Sequence, residues 1–146
     1  LYCESIGALE YASKCFFLDD TGYIFDKAPE FSGPVYFVYA LNEPLGSPLG
    51  HEFMQAEEFK YVSQFVSDIK ELGIESLGLE AAEGEISLLT PNNARIIWQR
   101  GADLNVIHSN LKAFLNNEAI KKDEVFLKKI NILDLRVENK VFYTFK

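Results

Sequence analysis

Ile130 to Lys146 reads INILDLRVENKVFYTFK. Two β-rich runs flank a polar break at Glu138-Asn139-Lys140. The first carries Ile130, Ile132, Leu133 and Leu135, the second Val141, Phe142, Tyr143 and Phe145. Asparagine tolerates the left-handed backbone that tight turns need, so the spacing predicts a hairpin. Its second arm stops with the chain and is expected at a sheet edge. Edge strands offer unpaired N–H and C=O groups to an incoming strand. The competing reading is an ordinary hairpin that closes a core.

Upstream of the hairpin the period alternates between helix and strand. Phe59, Val62, Val66 and Ile69 recur at offsets of three and four, with Phe65 and Leu72 widening the stripe. This predicts an amphipathic helix over Glu52–Gly73, stopped by Gly73 in the left-handed conformation. Glu57 and Glu58 read as solvated charges near its positive end. Leu104, Ile107, Leu111 and Phe114 predict a second helix over Asp103–Asn116, with Asp103 as N-cap. His108 lies one step off that stripe, with no nucleophile or carboxylate tied to it by a motif. Between the helices, Ile74–Ala82, Ile86–Leu89 and Arg95–Gln99 read as a three-strand antiparallel meander, with Trp98 buried on one face. Lys121–Lys129 reads as a connector with one helical turn near Asp123.

Toward the N-terminus, Lys14–Leu18 and Tyr23–Phe25 flank the turn signature Asp19-Asp20-Thr21-Gly22, a second hairpin. Asp19, Asp20 and Asp26 do not follow the calcium-loop spacing. Ala28–Pro34 is a loop, Val35–Ala40 a buried strand, and Leu41–Gly50 an irregular loop rich in proline and glycine. Strand runs punctuated by two helices predict an α+β fold. In it a mainly antiparallel twisted sheet carries both helices on one face.

The 146 residues suffice for one domain, 1–146, with a substantial core. An apolar content of 48% and a charged content of 25% are those of a globular chain. A formal charge of −8 argues against a nucleic-acid partner, which calls for a basic face. No apolar run approaches a membrane span. Cys3 and Cys15 with two isolated histidines do not assemble a zinc site, and no pattern asks for a cofactor. The cysteines read either as unrelated small residues or as a bridge in an oxidising compartment. The chain opens on Leu1 and not Met, and so reads as a fragment.

Three segments carry a family resemblance. Cys15–Pro29, CFFLDDTGYIFDKAP, is similar to the "yfiDenGvvFdkaP" stretch of the extracytoplasmic β domain of the bacterial division proteins FtsQ and DivIB. Phe53–Arg100 and its sequel resemble that family's helix, meander and second helix. Ile132–Lys146, ILDLRVENKVFYTFK, resembles its "iDLRypnkv" ending. The resemblance implies a non-enzymatic divisome scaffold with a cytoplasmic tail, a single membrane helix and a POTRA domain upstream, none of them in this chain. It implies docking of FtsB- or FtsL-like coiled-coil partners by strand addition during septum formation. Val141, Phe142, Tyr143, Thr144, Phe145 and Lys146 would form the receiving strand, with Asp134, Leu135 and Arg136 shaping the hairpin behind it. An extracytoplasmic location would favour a Cys3–Cys15 bridge. Many family members continue past this hairpin, which leaves open which strand edge is free.

Two other functions compete. A POTRA-like chaperone or translocation accessory would accept many extended peptides by strand addition. A hydrolase would use carboxylates such as Asp19, Asp26 or Glu57, and needs two of them held close with displaced pKa values. No signature in the chain pairs them.

Overall fold

The computed structural model describes residues 1–3, 15–29, 36–43 and 45–146. In chain order the first strands are β1 (Tyr2–Cys3), β2 (Cys15–Leu18), β3 (Ile24–Lys27) and β4 (Val38–Leu41). Helix α1 (Ala56–Glu71) leads into β5 (Gly78–Ala81), β6 (Glu85–Leu89) and β7 (Arg95–Gln99). Helix α2 (Leu104–Leu115) and the single turns α3 (Glu118–Lys121) and α4 (Phe126–Lys129) precede β8 (Ile130–Asp134) and β9 (Phe142–Phe145). Among the described residues these make one nine-stranded sheet in the order β3-β2-β1-β4-β5-β6-β7-β8-β9.

The fold is mixed α/β, and the sheet is mixed too. β1–β4, β4–β5 and β7–β8 pair in parallel, which corrects the mainly antiparallel sheet expected. For β4–β5 and β7–β8 the reason lies in the helices. Each of the long ones sits between two neighbouring strands, and a strand–helix–strand unit returns the chain to the end where it started. Thus α1 links β4 to β5, and α2 with the two short turns links β7 to β8. The meander β5-β6-β7 is antiparallel as the sequence predicts.

Both helix periods hold. α1 buries Phe59, Val62, Phe65 and Ile69, each contributing about 1.5–3 kcal/mol. α2 buries Ile107 and Leu111, and its N-cap Asp103 accepts from the Asn105 N–H. α1 starts four residues later than expected. Tyr23 bridges to Glu52, and the Phe53 N–H donates to the Gly22 carbonyl at 2.8 Å, which keeps this segment extended. Gly22 itself has φ +85°, and a Cβ there would meet the Phe59 ring at 3.0 Å, so the DDTG turn needs its glycine. Glu58 is not simply solvated: both its oxygens accept from Arg100, at 2.6 and 3.0 Å.

One face of the sheet presents Leu79, Ala81, Ile86, Leu88, Ile96, Trp98 and Leu133 to a core shared with α1 and α2. Trp98 is buried there, edge-on to Phe65 with ring centroids 4.9 Å apart. A smaller cluster, Cys3, Cys15, Ala28 and Val38, lies apart from it. Cys3 faces Cys15 across β1 and β2, and the two are joined as a disulfide. The expected Val35–Ala40 strand is β4 at Val38–Leu41. Val35, Lys14, Pro44 and most of the Ala28–Pro34 loop lie outside the described residues.

Candidate partner-binding edge

β8 and β9 are joined by Leu135–Val141. Asn139 takes φ 61°, and the Lys140 N–H donates to the Val137 carbonyl at 3.2 Å, closing the turn. The Asp-Leu-Arg sequence sets the hairpin's base. Leu135 is buried, and its N–H donates to Ile97 on β7 at 2.8 Å. Arg136 donates from Nε and one terminal nitrogen to the two oxygens of Asp134, at 2.9 and 2.7 Å. Its other terminal nitrogen reaches Glu85 on β6 at 2.9 Å. This fork holds the Asp134 carboxyl below the usual carboxylate range and pushes Arg136 up. Asp134, Leu135 and Arg136 thus act on the hairpin, not on its outer edge.

β9 pairs with β8 on one side and closes the sheet order on the other. The direction of its peptide groups follows from the ladder. Leu135 bonds toward β7, so Asp134 and Ile132 turn their peptide groups toward β9. Their partners Phe142 and Thr144 therefore point inward, and the Lys146 N–H, two residues on, donates to Lys129 at 3.0 Å. Tyr143 and Phe145 turn their N–H and C=O groups outward, where among the described residues no strand pairs with β9.

The side chains divide unevenly. Tyr143 and Phe145 lie over Phe126 of α4, with centroids 5.4 and 5.9 Å away, and Phe114 of α2 is 5.7 Å from Tyr143. These four rings form a shelf beside the open edge. Tyr143 is nevertheless 44% exposed and Phe145 53%. Phe142, on the opposite face, is 51% exposed. Neither face of β9 enters the core fully. Phe114 of α2 and Phe126 of the single-turn α4 back the strand and leave its rings half exposed. Val141 precedes β9 and packs against the core, while Lys146 follows it with Nζ on the Asn92 carbonyl. Four of the six residues expected to receive a partner, Phe142–Phe145, form the strand.

The sheet's other end is less open. Beside β3, Ile24 donates to the His51 carbonyl and accepts from the Gly50 N–H, both at 2.9 Å. The segment before α1 thus covers the start of that edge.

The three candidate carboxylates Asp19, Asp26 and Glu57 lie on different elements, the first turn, β3 and α1. Asp19 accepts from the Thr21 N–H and hydroxyl and from the Tyr23 N–H, which lowers its pKa and commits it to the turn. Asp26 accepts from the next residue's N–H, and Glu57 lies with His108 along a groove of about 550 Å³ between α1 and α2. Among the described residues no cluster of His, Cys, Asp and Glu is arranged to hold a metal.

The residue that sequence reasoning missed is Phe126, treated as part of a connector. Its signal was the apolar triplet Val125-Phe126-Leu127 inside a lysine-rich stretch. No known family model matches the chain, and no curated protein matches it.

Proposed function

We propose that this chain is a non-enzymatic interaction domain of the FtsQ/DivIB kind. On this reading an extended segment of an FtsB- or FtsL-like partner adds to the sheet along β9. The observation that carries the proposal is the outward row of peptide groups at Tyr143 and Phe145, whose half-exposed rings lie over the buried Phe126. Main-chain bonds would set register, and alternate side chains would set specificity. The Asp134–Arg136 fork supports the reading, because it braces the hairpin that must stay rigid while a strand is added. The Cys3–Cys15 bridge supports a location outside the cytoplasm, since such bonds persist in oxidising compartments. The parent protein is then a single-pass membrane protein with this domain on the extracytoplasmic side.

Amide hydrogen exchange with an FtsB-like partner tests the proposal. Protection gained at Tyr143 and Phe145 is expected. Protection confined to α1, α2 or β3 would overturn it. A POTRA-like chaperone would use the same edge with less selectivity, so equal binding of unrelated strand-forming peptides would favour that role instead.

A further inference from the structure

A groove of about 550 Å³ runs between α1 and the first turns of α2. On α1, Glu57, Tyr61, Gln64 and Asp68 line it, at offsets of four, three and four that set them on one face of the helix. Asp103, Leu104 and His108 line it from the α2 side, and the buried Phe65 and Trp98 close its floor. Charge is segregated across these helices. Glu57, Glu58, Asp68 and Asp103 border the groove, whereas Lys60 and Lys70 of α1 and Lys112 of α2 do not. Arg100 neutralises Glu58. Asp68 accepts from Gln64 Nε2 at 2.8 Å and Asp103 from the Asn105 N–H at 3.0 Å, and both donors are neutral. Among the described residues Glu57, Asp68 and Asp103 make no ion pair. Between Glu57 and Asp68 stands Tyr61, which is 59% exposed.

We infer that this groove receives a basic amphipathic helix of a protein partner. The inference stands on the groove alone and is independent of docking along β9. Charge names the sign of the occupant. Three carboxylates without a counter-ion border a wall that no Lys or Arg lines, so a cation is attracted there and an anion repelled. Tyr61 names the kind of cation. An arginine lays its stem and guanidinium on the exposed ring while its nitrogens reach a neighbouring carboxylate. The span names a chain segment. Glu57 and Asp68 are eleven residues apart, about 16 Å along α1, or three helical turns. Cations that meet both must be carried on a body of that length. Backbone chemistry then selects helix over strand. β6 and β7, which carry Ile86 and Trp98 under the groove, are each paired on both sides. An extended guest would find no ladder and leave its N–H and C=O groups unpaired, whereas a helix satisfies its own. The guest's apolar stripe rests on Tyr61 and on the half-buried Ala102 and Leu104.

The test uses the whole chain and alanine-rich helical peptides of about sixteen residues, long enough to span the groove. They share a leucine stripe and carry arginine, glutamine or glutamate along its borders. Trp98 is the single tryptophan and lies in the groove floor, so its fluorescence reports occupancy, and backbone amide shifts map the site. The arginine peptide is expected to bind at least about tenfold tighter than the glutamine peptide, to shift α1 and α2 amides, and to weaken as salt rises. Glu57→Gln with Asp68→Asn should bring the two peptides within about twofold of each other, and Tyr61→Ala should weaken the arginine peptide about fivefold. Neither carboxylate belongs to the Glu58–Arg100 pair, so the fold is kept. Equal binding of the arginine and glutamine peptides, shifts confined to β9, or no binding by the arginine peptide would overturn the inference. A scrambled arginine peptide that binds as tightly would overturn it as unspecific attraction to an acidic chain. An equally tight arginine peptide with a central proline would overturn the helical occupant, and spermine binding as tightly as the peptide would overturn it in favour of a small polyamine.

Discussion

Phe126→Ala measures how firmly the docking strand is held. Phe126 is 6% exposed and makes three ring contacts, to Phe114, Tyr143 and Phe145. Burial of such a ring is worth about 1.5–3 kcal/mol, and ring pairs add about 0.5–1.5 kcal/mol each. Complete loss would approach the upper part of the ~3–5 kcal/mol range for Phe→Ala in a core. Two of its three partners are half exposed, however, so water and neighbouring rings can refill the space. The expected cost is therefore about 3 kcal/mol, or roughly 10 °C in Tm for a chain of this size. Urea unfolding gives the total, and amide exchange locates it: β9 should lose more protection than β6. Phe142→Ala is the control, because that ring is 51% exposed on the other face. It should cost under about 1 kcal/mol. A Phe126→Ala loss below about 1 kcal/mol, or one spread evenly over the sheet, would refute the view that α4 anchors β9.

Two further outcomes are expected. Reducing the Cys3–Cys15 bridge, which spans a sequence separation of 12, should cost about 3 kcal/mol by the chain-entropy account, read as a lower urea midpoint in reductant. Acid should destabilise the hairpin base. Asp134 has a folded pKa below its unfolded value, so its contribution is present above the ordinary carboxylate pKa of about 3.9 and is lost as pH falls through the folded value. Unfolding of wild type and Asp134→Asn followed between pH 7 and pH 2 should show the gap between them closing at low pH.

How far the sequence discloses the fold depends on which signals are local. α1 and α2 are legible because Phe59, Val62 and Ile69, and then Leu104, Ile107 and Leu111, repeat at the helical period. The Asn139 turn and the Gly22 turn are legible because φ chemistry names its residues. Strand direction is not local. Nothing within VYA distinguishes a strand paired in parallel with β1 and β5 from an antiparallel one. The helices that follow β4 and β7 were the clue, because each forces a crossover. The edge was legible as two β-rich arms, but its shelf was not. Phe114 and Phe126 come from α2 and α4 and meet Tyr143 only in three dimensions. Glu58 likewise looked solvated because Arg100, its partner, is 42 residues away.

Strand addition along β9 is tested most directly by Tyr143→Pro set against Tyr143→Ala, each titrated with an FtsB-like partner segment. Both variants lose the phenol ring, but only proline removes an N–H that faces away from β8 and leaves the internal ladder bonds of Phe142 and Thr144 in place. Docking predicts that the alanine variant keeps measurable binding, and that the proline variant binds at least about tenfold more weakly at matched thermal stability. Equal binding by two folded variants would contradict it.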